Sequence, residues 1–112
     1  DRWGRIIHIS SKIGIEGSPG TIAYSTSKAG LMGMSRVLAK EYARFNITSN
    51  VLVLGPFEAG LFDKLPEDVK RNLLNQIPSR TLGKVSNISN AIEFLMKSEF
   101  INGAAINIDG GM

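Results

Sequence analysis

Ser49-Asn50-Val51-Leu52-Val53-Leu54-Gly55-Pro56 is the stretch that decides the fold. Four apolar residues follow one another without polar alternation, so both faces of the segment must be covered. They are β-branched or large, and Gly55-Pro56 closes the run, which marks a short strand over Ser49–Leu54 and not a helix. A strand buried on both faces belongs in a parallel sheet with helices above and below.

The flanking segments agree. Upstream, Arg5-Ile6-Ile7-His8-Ile9-Ser10 is a second strand, short and β-branched. Ser11 to Gly20 reads as a loop, with Gly14, Gly17, Pro19 and Gly20 in it. A long helix is expected from about Tyr24 to Arg44 on the strength of Ala29, Leu31, Met32, Met34, Leu38, Ala39, Lys40 and Glu41. Gly30 and Gly33 weaken it by about 1 kcal/mol each relative to Ala. They share a face, on which another element could pack closely. Downstream, a second helix is expected to begin at Pro66, with Glu67 and Asp68 complementing its dipole and Val69, Leu73, Leu74 and Ile77 as its apolar face. Ser86 is the expected cap of a third helix whose stripe is Ile88, Ala91, Ile92 and Leu95. Gly103 to Ile108 reads as the last strand.

The order strand, helix, strand, helix, helix, strand implies right-handed crossovers and an α/β fold with three parallel strands and flanking helices. Three such strands leave a long apolar edge. The whole chain, residues 1–112, therefore reads as a single partial domain, the C-terminal half of a doubly wound parallel sheet. The opening Asp1-Arg2-Trp3-Gly4 runs straight into a strand, as expected of a cut inside a larger protein.

Composition narrows the function. The 112 residues are 43% hydrophobic and 21% charged, which excludes a disordered tail. A net charge of +3 is spread along the chain with no basic block, so neither nucleic acid nor membrane is an expected partner. The absence of cysteine excludes disulfides, thiolate catalysis and cysteine zinc sites, and one histidine, His8, excludes a multi-histidine metal site. No metal site is expected. Cysteine usage fits an intracellular, cytoplasmic protein.

Tyr24-Ser25-Thr26-Ser27-Lys28 places a phenol and an amine one helical turn apart on one face. An ammonium beside a phenol stabilises the phenolate, and such a phenol can donate and recover a proton. Ser11 stands at the carboxyl end of a strand, where ligands sit in open parallel sheets. Its hydroxyl can hydrogen-bond a carbonyl beside the phenol. His8, in mid-strand, reads as a satisfied histidine. Lys12, Arg80 and Lys84 read as solvated charge.

In this order, the motifs resemble the short-chain dehydrogenase/reductase family along the full chain. Gly4-Arg5-Ile6-Ile7-His8-Ile9-Ser10-Ser11 is similar to its G-R-I-V-x-I-S-S strand, and Tyr24-Ser25-Thr26-Ser27-Lys28-Ala29-Gly30 to its Y-x-A-S-K-A-G signature. Ile106-Asn107-Ile108-Asp109-Gly110-Gly111 resembles its final strand and turn, nearest to the branch of 3-oxoacyl-(acyl-carrier-protein) reductases. The resemblance implies a Rossmann fold and NAD- or NADP-dependent interconversion of a ketone and a secondary alcohol in the complete protein. It implies that Ser11, Tyr24 and Lys28 are catalytic: Ser11 polarises the carbonyl, Tyr24 is the proton donor, and Lys28 tunes Tyr24 and holds the nicotinamide ribose. It assigns cofactor contacts to Tyr24, Lys28, Gly55 and the backbone of Phe57. It also implies a homo-oligomer, with the Gly30/Gly33 helix as an interface, and a mobile substrate lid from Pro66 to Gln76.

Three positions depart from the family pattern. Leu54 stands where the family has Pro before its Gly, Pro56 follows that Gly, and Ala59 replaces a cofactor-contacting threonine. The Gly-rich turn that cradles the pyrophosphate and the family's catalytic asparagine are absent, so this chain alone is not expected to bind the dinucleotide in the family's manner. Two alternatives follow: a truncated, inactive chain serving as an assembly module, or a member that keeps the fold without activity.

Overall fold

The computed structural model describes residues 2–112, with Leu61 described through its backbone alone; Asp1 of the opening tetrapeptide lies outside the described residues. The elements are β1 (Gly4–Ser11), α1 (Lys12–Glu16), α2 (Ile22–Tyr42), β2 (Ile47–Leu54), α3 (Glu67–Gln76), α4 (Val85–Lys97) and β3 (Ala105–Ile108). Short 3₁₀ turns occupy Ala43–Phe45 and Gly60–Lys64. The strands form one parallel sheet in the order β1-β2-β3.

The central strand is the apolar run. Val51, Leu52 and Val53 are each at most 1% exposed. Such burial stabilises by about 1.5–3 kcal/mol per side chain. Ser11 pairs with Leu54 and Leu54 with Ile108, so all three strands finish in one line. That shared carboxyl edge is where the site is built.

Helices cover both faces. On the face of His8, Ser10 and Ser49, α2 is tied down by hydroxyls. Ser35 Oγ and Ser49 Oγ are 2.9 Å apart, and Ser10 Oγ donates to the Lys28 carbonyl at 2.8 Å. Side chains alternate across a strand, so Arg5 lies on the opposite face. There its Nε donates to the Met96 carbonyl of α4 at 3.3 Å. The expected parallel α/β sheet of Rossmann type, with three strands and flanking helices, is the observed architecture.

Several boundaries differ from the sequence expectation, each for a local reason. The Ser11–Gly20 segment is not all loop. Ser11 Oγ accepts the Gly14 N–H and caps the short helix α1. Helix α2 starts at Ile22, two residues early, after a turn in which Thr21 Oγ1 donates to the Ser18 carbonyl at 2.6 Å. It ends at Tyr42, and Arg44 lies in the following 3₁₀ turn, which left-handed Asn46 (φ 61°) terminates. Pro66 caps α3 from an extended conformation (ψ 152°) and is not its first residue; Ile77, buried, follows the helix's last residue. Helix α4 begins at Val85, so Ser86 lies inside it. The Lys84 N–H donates to Asn87 Oδ1 at 2.8 Å, which replaces the expected serine cap. Strand β3 begins at Ala105 because Gly103 takes a positive φ of 75°. The Asn50 side chain serves the irregular entry, its Oδ1 accepting from the Ala104 N–H at 2.9 Å.

Candidate active site at the carboxyl edge of the sheet

Tyr24 and Lys28 both stand on α2, and β1 holds the lysine. Tyr24 sits in the first turn of α2, 46% exposed. Lys28, one turn on, is half-buried, and its Nζ donates to the Ile9 carbonyl of β1 at 3.1 Å. The same ammonium lies 5.9 Å from the centroid of the Tyr24 ring. Lys28 is thus fixed over the phenol's ring by a backbone acceptor of the neighbouring strand. Ser11 is at once the last residue of β1 and the cap of α1.

Ser11 and Tyr24 open into one cavity of about 530 Å³, whose wall also includes Gly55 and Phe57. The remaining wall is apolar. Ile13 comes from α1, Phe62 and Leu65 from the segment before α3, Leu73 from α3, and Val85 and Ile88 from α4. Two hydroxyls on an otherwise apolar wall suit a substrate with one polar reacting group and an apolar body. Lys28 does not line the cavity and reaches it through Tyr24.

Gly55 and Phe57 differ in what they offer. The Gly55 N–H is committed to the Ile108 carbonyl at 2.9 Å. A Cβ on Gly55 would meet Asp109 Cα at 2.9 Å, so glycine is required for β2 and the end of β3 to approach. Phe57 pairs with Gly83 in an isolated parallel bridge. That bridge uses the Pro56 carbonyl and the Glu58 N–H, leaving the amide and carbonyl of Phe57 outside it.

His8 stands away from this site, its Nε2 3.0 Å from Ser49 Oγ under α2. Two of the expected surface charges are tied down. Lys12 Nζ lies 3.5 Å from Glu16 and 3.8 Å from Asp109, and its side chain is only 18% exposed. Arg80 Nη1 donates to the Asn75 carbonyl at 2.9 Å. Among the described residues, no group of three or more His, Asp and Glu converges as a metal site, and no helix is long and apolar enough to cross a membrane. The substrate lid expected from Pro66 to Gln76 contributes Leu73, but Ile13, Val85 and Ile88 were not expected at the cavity. The first sits in an unforeseen helix, Ile88 read as part of an ordinary amphipathic stripe, and Val85 fell before the expected start of its helix.

Comparison with known proteins decides the family. The family described as "Enoyl-(Acyl carrier protein) reductase" matches residues 1–112. The chain belongs to the short-chain dehydrogenase/reductase family. The 3-oxoacyl-[acyl-carrier-protein] reductase FabG of Rickettsia bellii is 40% identical over 100% of this chain and 47% of its own length. FabG of Aquifex aeolicus is 39% identical over 99% of this chain and 46% of its own. A solved structure of a putative short-chain alcohol dehydrogenase from Sinorhizobium meliloti superposes with a TM-score of 0.84 at 35% identity, covering 96% of this chain and 44% of that one. The chain thus spans about half the length of the short-chain reductases it matches. Ser11, Tyr24 and Lys28 all fall within this matched span.

Proposed function

We propose that the complete protein, of which these residues form the C-terminal part, reduces a ketone to a secondary alcohol with NADPH or NADH. A 3-oxoacyl thioester is the leading substrate class. The observation that carries this reading is the shared cavity, in which Ser11 and Tyr24 are the hydroxyl-bearing residues of an apolar wall. The names of the FabG relatives support the acyl substrate.

The residues present fit the nicotinamide end of the cofactor. Lys28 and Tyr24 would hold the ribose, and the Phe57 amide and carbonyl, left outside the bridge to Gly83, would meet the carboxamide. Gly55 would shape the floor, its own amide being taken. A bound nicotinamide cofactor supplies the hydride that reaches the carbonyl carbon. Ser11 donates a hydrogen bond to the carbonyl oxygen and orients it. Tyr24 gives its phenolic proton to that oxygen as the C–O π bond breaks, and the phenolate regains a proton from solvent. Lys28, held by Ile9, stabilises that phenolate. In alcohol oxidation the same groups act in reverse.

A second copy of the protein is the proposed partner along α2. Nothing lies within 4 Å of a Cβ placed on Gly30 or Gly33, and Met34 and Val37 on this helix are 47% and 54% exposed. The mobile lid is assigned to the α3 region, whose Leu73 borders the cavity.

The test is cofactor oxidation by the complete protein, followed by nicotinamide absorbance, with a 3-oxoacyl thioester and separately with a 2-enoyl thioester. Turnover of the 3-oxo substrate supports the reading. Turnover of the enoyl substrate alone would replace it with carbon–carbon double-bond reduction. Turnover of neither would favour the assembly role or an inactive fold.

A further inference from the structure

Gly14 touches all three residues to which the proposed reaction is assigned. Its N–H donates to Ser11 Oγ at 3.3 Å. A Cβ built on it would lie 2.8 Å from Lys28 Cβ and 3.4 Å from Tyr24 Cε1. It is the buried residue of α1, while its neighbours Ile13 and Ile15 are each 38% exposed. Gly14 is thus the α1 residue packed against the Tyr24/Lys28 turn, while Ile13 borders the cavity.

The reason for glycine here is room. Gly17 and Gly20 take positive φ, but Gly14 does not. A glycine inside a helix costs about 1 kcal/mol relative to Ala. What it provides is close approach of α1 to α2. Carbon atoms attract best at about 3.5–4.0 Å, so a methyl at 2.8 Å from Lys28 Cβ is repulsive. Lys28 Cβ is the root of its side chain, fixed by the α2 backbone, and cannot rotate away.

The amide bond has a chemical consequence at Ser11. A hydroxyl carries one proton and two lone pairs. With a lone pair engaged by the Gly14 N–H, the Ser11 proton remains to be given to a substrate carbonyl.

We propose that Gly14 is a positioning residue: its amide orients Ser11, and its missing side chain sets the distance between α1 and the Tyr24/Lys28 turn. This rests on the reading of Ser11, Tyr24 and Lys28 as the reacting groups.

The test uses the complete protein with the 3-oxoacyl thioester and its nicotinamide cofactor. Gly14→Ala is expected to lower kcat about 10–100-fold, the scale of a misplaced reacting group, while KM and the cofactor Kd hold. Ile15→Ala, on the exposed side of α1, is expected to keep wild-type kcat. Wild-type kcat in Gly14→Ala, an effect confined to KM, or an equal loss in Ile15→Ala would overturn the proposal. Should Gly14→Ala not fold, the Gly14 amide resonance in Ser11→Ala decides. It shifts if Ser11 Oγ is its acceptor, and an unmoved resonance overturns the assignment. If Tyr24→Phe retains turnover, the reaction reading itself has failed; if only the Gly14 tests fail, that reading stands.

Discussion

Lys28 joins two elements beside the phenol proposed to carry the proton. Its ammonium is held by the Ile9 carbonyl and lies 5.9 Å from the Tyr24 ring centroid, so β1, α2 and the phenol are fixed by one side chain. Lys28→Met keeps most of the stem and removes the charge. In the complete protein it should lower kcat by about 10²-fold or more, the share general acid–base groups commonly contribute. Steady-state kinetics check this, and an unchanged kcat would remove Lys28 from the mechanism. Gly83 gives a second prediction. A Cβ there would lie 2.5 Å from the Phe57 ring, which would have to shift or turn. Gly83→Ala should cost about 1–3 kcal/mol by overpacking. The shift in the denaturant midpoint of the complete protein checks this, and an unchanged midpoint would show that the ring yields freely.

At the scale of elements, β2 dominates. Leu52 is 0% exposed in the central strand, and Leu52→Ala should destabilise the complete protein by about 2–5 kcal/mol, read from the shift in its denaturant midpoint. Asn102→Ala acts differently: it strips the acceptor from the Ser49 N–H, bonded at 2.8 Å, and should cost about 1–3 kcal/mol although little apolar surface is lost. The strands were legible in the sequence because unbroken apolar runs have few other solutions. The placement of Tyr24 and Lys28 on one helical turn and of Ser11 at a strand end was legible from their spacing. Helix α1 was not, because its cue is a single serine cap in a stretch rich in glycine. The start of α4 was misplaced because the cap is made by Asn87 from inside the helix and not by Ser86. Cavity walls built by Ile13, Val85 and Ile88 were hidden because long-range packing, and not local pattern, brings them to Tyr24.

The whole molecule is extended for its length. Its radius of gyration is 15.4 Å, against about 13 Å for a compact domain of similar length. Among the described residues strand β1 is paired on one side only, and Ile9 on it is 40% exposed. The reductases it matches are about twice as long. The 112 residues alone should therefore show no saturable NADPH binding in a fluorescence titration, while the complete protein binds. Saturable binding by the short chain would show that the phosphates are held without the glycine-rich turn. Tyr24 is the proposed proton donor. The most direct test of that role is turnover of a 3-oxoacyl thioester by the complete protein carrying Tyr24→Phe, with cofactor binding measured on the same sample. Loss of nearly all turnover with cofactor binding intact is the predicted result. Turnover at the wild-type rate would contradict the proton-donor role and the mechanism built on it.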